Sequence, residues 1–331
     1  MDKVEPILHS LGDNITLIDL MEGNTPGRTG SYVIHAEKPA IIETGTSLSI
    51  PYIIAGLEKL KIPLEQIQYV IVTHIHLDHS GGLGSLLTYL PNATVIVHKR
   101  GARHLADPSK LIMGARAVYG DKLETLFGRI DPVPADRIQI YEEGQTLDLG
   151  NLRKLTFYDT PGHARHHLSI YDSGSRGIFT GDTVGVRYGP EFTGFDFETV
   201  FPSTSPSEFD LHAVLESVEK LQNLNPTKIF HGHFGVTKQA SYAFERTKET
   251  AEAFDRIARS IYYSGIRPRV IEDKLREYMK TDLVDQGFAE DNTAFLDVDL
   301  SINAMGLLYM LEMEGKKKKA LFKDNTVVSE G

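Results

Sequence analysis

The chain has 331 residues, 41% apolar and 24% charged, with a formal net charge of −10 and no cysteine. That length supports a large core in one domain with an appendage, or in two domains, and the missing cysteine excludes disulfides, thiolate nucleophiles and thiolate-held zinc. Any metal must therefore be held by imidazole and carboxylate, and the acidic balance opposes broad contact with a nucleic-acid backbone.

Short β-rich runs at Ile15 to Leu20, Ser31 to Ile34 and Ala40 to Glu43 predict a meander. An amphipathic helix from Pro51 to Leu60, a buried strand Tyr69 to Thr73, a helix Leu83 to Leu90 and a strand Thr94 to Val97 then give β-α-β alternation. Residues Pro108 to Phe127 read as helical, with Leu111, Ile112, Met113, Tyr119 and Phe127 apolar. They form most of an insertion at about 101–128 that is expected to cover the site, an interface for a second copy being the alternative. Strands resume at Arg137 to Tyr141, Lys154 to Tyr158, Leu168 to Tyr171 and Ile178 to Thr180, then a helix from about Ser207 to Leu221 and a strand Lys228 to Phe230. Two similar halves, with their sheets packed together between outer helices, are the expected α/β architecture.

From Val236 onward the strands are expected to stop. Phe254, Ile257, Ala258 and Ile261, and then Ile271, Leu275, Tyr278 and Met279, mark helices. The division expected is a catalytic domain at 1–240 and a helical extension at 241–331, ending in a frayed tail that includes Lys316 to Lys319. No uninterrupted apolar run approaches the roughly 20 residues of a membrane helix, and Met1 to Asn14 lacks the pattern of a secretory signal. A cytoplasmic protein with a small-molecule substrate, no membrane contact and no nucleic-acid partner is expected.

The chemistry concentrates in Thr73-His74-Ile75-His76-Leu77-Asp78-His79-Ser80-Gly81-Gly82, between a strand and a helix, where α/β proteins place their sites. Alternate side chains of an extended chain share a direction, so His74 and His76 can bite one metal ion. Asp78 and His79, as the chain turns into the helix, can face a second, with Gly81 and Gly82 allowing the tight turn. A phosphate-loop reading of Gly81 to Gly84 fails for want of the Gly-Lys-Ser/Thr ending. His98 and His104 read as surface or packing residues. Either His231 or His233 can be a ligand from the strand end at Phe230.

This pattern resembles the signature of the metallo-beta-lactamase superfamily over about residues 10 to 235. Thr160-Pro161-Gly162-His163, Phe179-Thr180-Gly181-Asp182 and Phe230-His231-Gly232-His233 are similar to its remaining motifs, in the family's order. The resemblance implies an αβ/βα four-layer sandwich, here with a C-terminal helical appendage. It implies that His74, His76 and His163 hold one metal, that Asp78, His79 and His233 hold the other, and that Asp182 bridges. The implied reaction is hydrolysis of a small ester, thioester or lactone by a metal-bound hydroxide, with Asp78 assisting proton transfer. Two divalent ions are expected, zinc first, with iron or manganese accepting the same ligands. A superfamily nuclease or phosphodiesterase is one alternative. The other is iron-dependent redox chemistry of the di-iron or persulfide dioxygenase kind, although di-iron relatives usually carry glutamate where His76 stands. Glu43 departs from the aspartate more usual in the family, and its longer side chain is expected to brace the loops under the metals. His166, His167 and His231 are candidates for the pocket or for orienting a ligand, and Tyr188 is a candidate donor to an oxyanion.

Overall fold

The computed structural model describes residues 4–288 and 293–327. Its first sheet runs in the order β1 (Leu8–Gly12), β2 (Ile15–Asp19), β3 (Gly30–Ile34), β4 (Ala40–Ile42), β5 (Tyr69–Ile71), β6 (Thr94–His98) and β7 (Ile138–Tyr141). The first four strands pair antiparallel as a meander, and β4 to β7 are parallel neighbours. Parallel neighbours need crossovers, supplied by α1 (Ile50–Lys59), by α2 (Leu77–Ser80) with α3 (Leu83–Leu86), and by α4 (Lys99–Ala106), α5 (Ser109–Tyr119) and α6 (Leu123–Phe127).

The second sheet contains β8 (Thr146–Asp148), β9 (Lys154–Asp159), β10 (Leu168–Asp172) and β11 (Gly177–Phe179). A small ribbon of β12 (Val186–Tyr188), α7 (Pro190–Thr193) and β13 (Thr199–Phe201) follows, then α8 (Leu211–Gln222), β14 (Lys228–Phe230) and β15 (Val236–Thr237). The sheet order is β15-β14-β11-β10-β9-β8. The chain ends in α9 (Ala240–Ile261), α10 (Pro268–Asp285) and α11 (Asp297–Val327).

Alternation along the strands builds four layers. Ile42, Ile71 and Ile96 face inward against Phe157, Ile170 and Phe179 of the second sheet. Their neighbours Ile41, Val70 and Val95 face outward onto Ile53, Leu57 and Leu86 of the first helical layer. Beyond the second sheet, Ile178 and Ile229 pack with Val218 and Leu221 of α8, and Phe244, Leu275 and Leu300 of the C-terminal helices join that same cluster.

Several expectations are corrected. Strands continue past Val236, since β15 pairs with β14, and α8 starts at Leu211, where the Asp210 side chain accepts from the Ala213 N–H. Lys316 to Lys319, expected to fray, lie within α11, and the polar end at 328–331 lies outside the described residues. The stretch Ala294–Lys317 is long and apolar enough by composition to cross a membrane, which a count of uninterrupted runs does not reveal. Half of its most apolar segment is buried inside the protein, where Leu296, Leu300, Ala304 and Leu307 enter the core.

Candidate metal centre

After β5 the chain stays extended through His76 (φ −62°, ψ 149°) before turning into α2. His74 and His76 therefore project together, with His74 Nε2 3.0 Å from His76 Nδ1. The turn after β9 brings His163 Nε2 to 2.9 Å from His76 Nδ1 and 3.3 Å from His74 Nε2. Nitrogens held by one tetrahedral zinc stand about 3.4 Å apart, so this triangle has nearly the dimensions of a ligand set. On the other side, Asp78 Oδ2 lies 3.6 Å from His79 Nε2 and 3.5 Å from His233 Nε2. Asp182, at the end of β11, stands between the groups: Oδ1 is 3.3 Å from His79 Nε2, and Oδ2 is 3.6 Å from His163 Nε2 and 3.5 Å from His233 Nε2.

His79 Nε2 and Asp182 Oδ1 are both buried without a hydrogen-bond partner. Leaving such a pair unmet costs stability, and a divalent cation suits this oxygen and nitrogen donor set. The electrostatics point the same way. Burial pushes His74 well below its ordinary pKa, reinforced by His79, His76 and His163, and burial together with His163 lowers His76 to about 3. Burial opposes charge at His233 as well, yet Asp182 and Asp78 outweigh it and raise that imidazole to about 10. They raise His79 likewise. Burial thus favours the neutral form of all three imidazoles in one triad, while the carboxylates favour positive charge on His79 and His233, where a cation's charge would serve.

The far sides of the rings are held. Thr73 Oγ1 hydrogen-bonds His74 Nδ1 at 3.0 Å, and His163 Nδ1 donates to the Ser203 carbonyl at 2.9 Å. Glu43 lies beneath the cluster, Oε1 accepting from the Thr73 N–H at 2.7 Å and Oε2 from His79 Nδ1 at 2.6 Å. His167 is buried behind the site, where its Nε2 accepts from the Asp182 N–H at 3.3 Å and its Nδ1 meets Thr160 and Thr183. The close approach requires glycine at 181. Its φ is +47°, and a Cβ there would lie 2.4 Å from Thr73 Oγ1 and 2.6 Å from His167 Nε2.

His166 lines the cavity and pairs with Glu208 at 3.1 Å. Two candidates are not in the site. His231 is buried with Nε2 on Thr237 Oγ1 at 3.0 Å, which leaves His233 as the histidine facing the carboxylates. The Tyr188 hydroxyl donates to Asp299 Oδ2 at 2.8 Å behind the cavity wall, so the oxyanion role expected of it is corrected. His98 caps α4 by accepting from the Arg100 N–H, whereas His104 reaches the cavity rim.

A cavity of about 1010 Å³ opens over the two clusters. Leu111, Tyr119 and Phe127 of the insertion form one wall, and Val298, Asp299 and Ile302 of α11 another. Met113 points to solvent, 68% exposed, and is no part of the wall. Sequence reasoning missed Arg28, Glu22, Glu208 and Asp299, single charged residues on loops or a helix start that carry no local motif and meet only through the fold.

The sequence model of the metallo-beta-lactamase superfamily matches residues 24–233. The metallo-beta-lactamase fold-containing protein ST1585 of Sulfurisphaera tokodaii is 31% identical over 176 residues, 52% of this chain and 62% of that protein. Its crystal structure superposes with a TM-score of 0.63 at 25% identity, covering 89% of this chain and 98% of that one. The human acyl-coenzyme A thioesterase MBLAC2 is 28% identical over 56% of this chain and 68% of its own length. The anaerobic nitric oxide reductase flavorubredoxin of Salmonella arizonae is 25% identical over 48% of this chain and 28% of its own length. In the sequence alignments the chain thus spans less than two thirds of ST1585 and of the flavorubredoxin.

Proposed function

The chain belongs to the metallo-beta-lactamase superfamily, and from that premise we propose that it is a two-metal hydrolase of a small ester, thioester or lactone. The observation that carries this reading is Asp182, set between a three-histidine cluster and an Asp-His-His cluster, with Oδ2 within 3.6 Å of His163 and His233, one from each cluster, and Oδ1 toward His79. His74, His76 and His163 would hold one ion, Asp78, His79 and His233 the other, and Asp182 both, with zinc the ion proposed first. Bound divalent ions there supply Lewis-acid polarisation of the substrate oxygen and lower the pKa of a water toward about 7.

The chain's own residues do the rest. Glu43, Ser203 and Thr73 hold the rings so that the inward nitrogens stay free. Asp78, at the cavity floor, is placed to accept a proton through its carboxylate. The apolar walls from the insertion and α11 exclude bulk water and receive the acyl chain. The likeness to an acyl-coenzyme A thioesterase supports acyl substrates. The likeness to a flavorubredoxin supports a second reading, iron-based redox chemistry. We also propose a cytoplasmic location and a small-molecule partner rather than nucleic acid, in keeping with the net charge of −10.

Elemental analysis of protein made without added metal, followed by ester, thioester, lactone and phosphodiester substrates and an oxygen-consumption assay, tests the proposal. Two ions per chain with ester or thioester turnover are expected, and His76→Ala is expected to stay folded while losing most metal and activity. Iron with oxygen consumption and no hydrolysis would favour the redox reading. Full metal content in His76→Ala would overturn the ligand assignment.

A further inference from the structure

We propose that Arg28 is a specificity-determining residue whose guanidinium donates hydrogen bonds to an acceptor oxygen on the acyl part of the substrate, a carboxylate or an amide carbonyl. The inference rests on the hydrolase reading above. Arg28 sits between β2 and β3 in the cavity wall, its side chain 19% exposed. Its Nε is buried without a hydrogen-bond partner, and among the described residues nothing hydrogen-bonds the guanidinium. The nearest counter-charge, Glu22 Oε1, is 3.6 Å from Nε, too far for a hydrogen bond, and Glu22 Oε2 is itself buried and unpartnered.

The position is built, not incidental. Buried Asp19 ties down both ends of the loop, Oδ1 accepting from the Met21 N–H at 2.9 Å and Oδ2 from the Gly27 N–H at 2.7 Å. Gly27 has φ +73°, and a Cβ there would lie 2.5 Å from the Glu191 carbonyl carbon, so the turn that aims Arg28 is packed in place. Burial opposes the guanidinium charge, but the Tyr188 oxygen and the carboxylates of Glu22, Asp299 and Asp78 favour it, and Arg28 lines the same cavity as Asp78 and His233 of the second cluster. Arginine offers five N–H donors and no acceptor. A guanidinium anchored by charge while its N–H groups stay unmatched, in a cavity with apolar walls, selects for an acceptor.

The test needs no turnover. Calorimetric titration of metal-loaded protein with hexanoate, adipate and adipic acid monoamide compares probes that share one carboxylate and differ at the far end. Wild type is expected to prefer a probe with a distal acceptor over hexanoate by about 10- to 100-fold, as hydrogen bonds to a charged donor allow. Preference for adipate alone identifies a carboxylate ligand, and preference for both probes a carbonyl oxygen. Arg28→Gln is expected to abolish the preference with metal content unchanged. Arg28→Lys, which keeps the charge but loses the planar fork, is expected to reduce it several-fold and serves should the glutamine variant fail to fold. Equal or absent binding of the three probes by wild type, or an undiminished preference in either folded variant, overturns the proposal. A silent hydrolysis panel with the preference intact would instead sink the hydrolase reading alone.

Discussion

At Glu43 a single oxygen decides the tautomer of a neighbouring imidazole. The residue is 2% exposed, and its two carboxylate oxygens accept from the Thr73 N–H and from His79 Nδ1. Both partners are donors, so a carboxylate satisfies them and an amide cannot. In Glu43→Gln the NH2 group must face either Thr73 N–H or His79 Nδ1–H. Once a cation replaces the charge on His79 and the ring is neutral, the less costly escape is for its one proton to sit on Nε2, the atom aimed at Asp78 and Asp182. That blocks one ligand while leaving His74, His76 and His163 unchanged. We expect metal content to fall from two ions toward one, with affinity at the weakened position down about 10- to 100-fold. Elemental analysis combined with a chelator competition reads this directly, and two ions held at wild-type affinity would show that Glu43 only supports the loop.

Among the elements, what was legible in the sequence follows a physical divide. Tyr69 to Thr73 and Lys228 to Phe230 could be read because strands buried on both faces leave continuous apolar runs. The ribbon of β12 and β13 was missed because each strand has three residues and one carries the buried Arg187, ion-paired to Glu198 at 2.5 Å. α4 was read only as part of the helical insertion from about residue 101, and its start at Lys99 was not, because Lys99-Arg100-Gly101-Ala102-Arg103-His104 is charged and interrupted by glycine. The seven clustered histidines and aspartates were legible because their motifs are local. The insertion was legible as helix but not residue by residue, since apolar composition does not say which side faces the site. The structure does: Tyr119 packs edge-on against Phe127 at 4.9 Å and lines the cavity, whereas Met113 faces solvent. Tyr119→Ser is therefore expected to change the relative rates on short and long acyl substrates at constant metal content, and Met113→Ser to leave them unchanged. Should Met113→Ser instead dissociate a dimer on a sizing column, the outer face of α5 would be the contact between copies. An unchanged chain-length profile in Tyr119→Ser would remove the insertion from substrate choice.

Across the whole molecule, the C-terminal helices reach the three-histidine cluster through a loop nearly 100 residues earlier in the chain, a link that no local pattern can disclose. Asn303 of α11 accepts from the Thr204 N–H at 2.6 Å and donates to the Pro202 carbonyl at 3.1 Å, while its own backbone carbonyl accepts from Thr204 Oγ1 at 2.9 Å. Three residues on, Gly306 lets the helix lie so close that a Cβ there would stand 1.8 Å from the Thr204 carbonyl oxygen. The loop clamped in this way carries the Ser203 carbonyl that receives His163 Nδ1, and Ser205, whose hydroxyl donates to the His163 carbonyl at 2.6 Å. α11 thus takes part in holding His163 of the three-histidine cluster, although it adds no side chain to that cluster. Asn303→Ala leaves the buried Thr204 N–H without its acceptor, which costs about 1–3 kcal/mol of stability, and frees the loop that sets the His163 ring. We expect a lower melting temperature together with roughly tenfold weaker metal binding at the first cluster, by analogy with other groups that orient ligands. The two readouts separate a coupled helix from a merely supporting one. Melting that falls while chelator competition returns the wild-type metal affinity would mean that α11 stabilises the fold without tuning the centre. A parallel loss of both would tie the C-terminal helices to the chemistry.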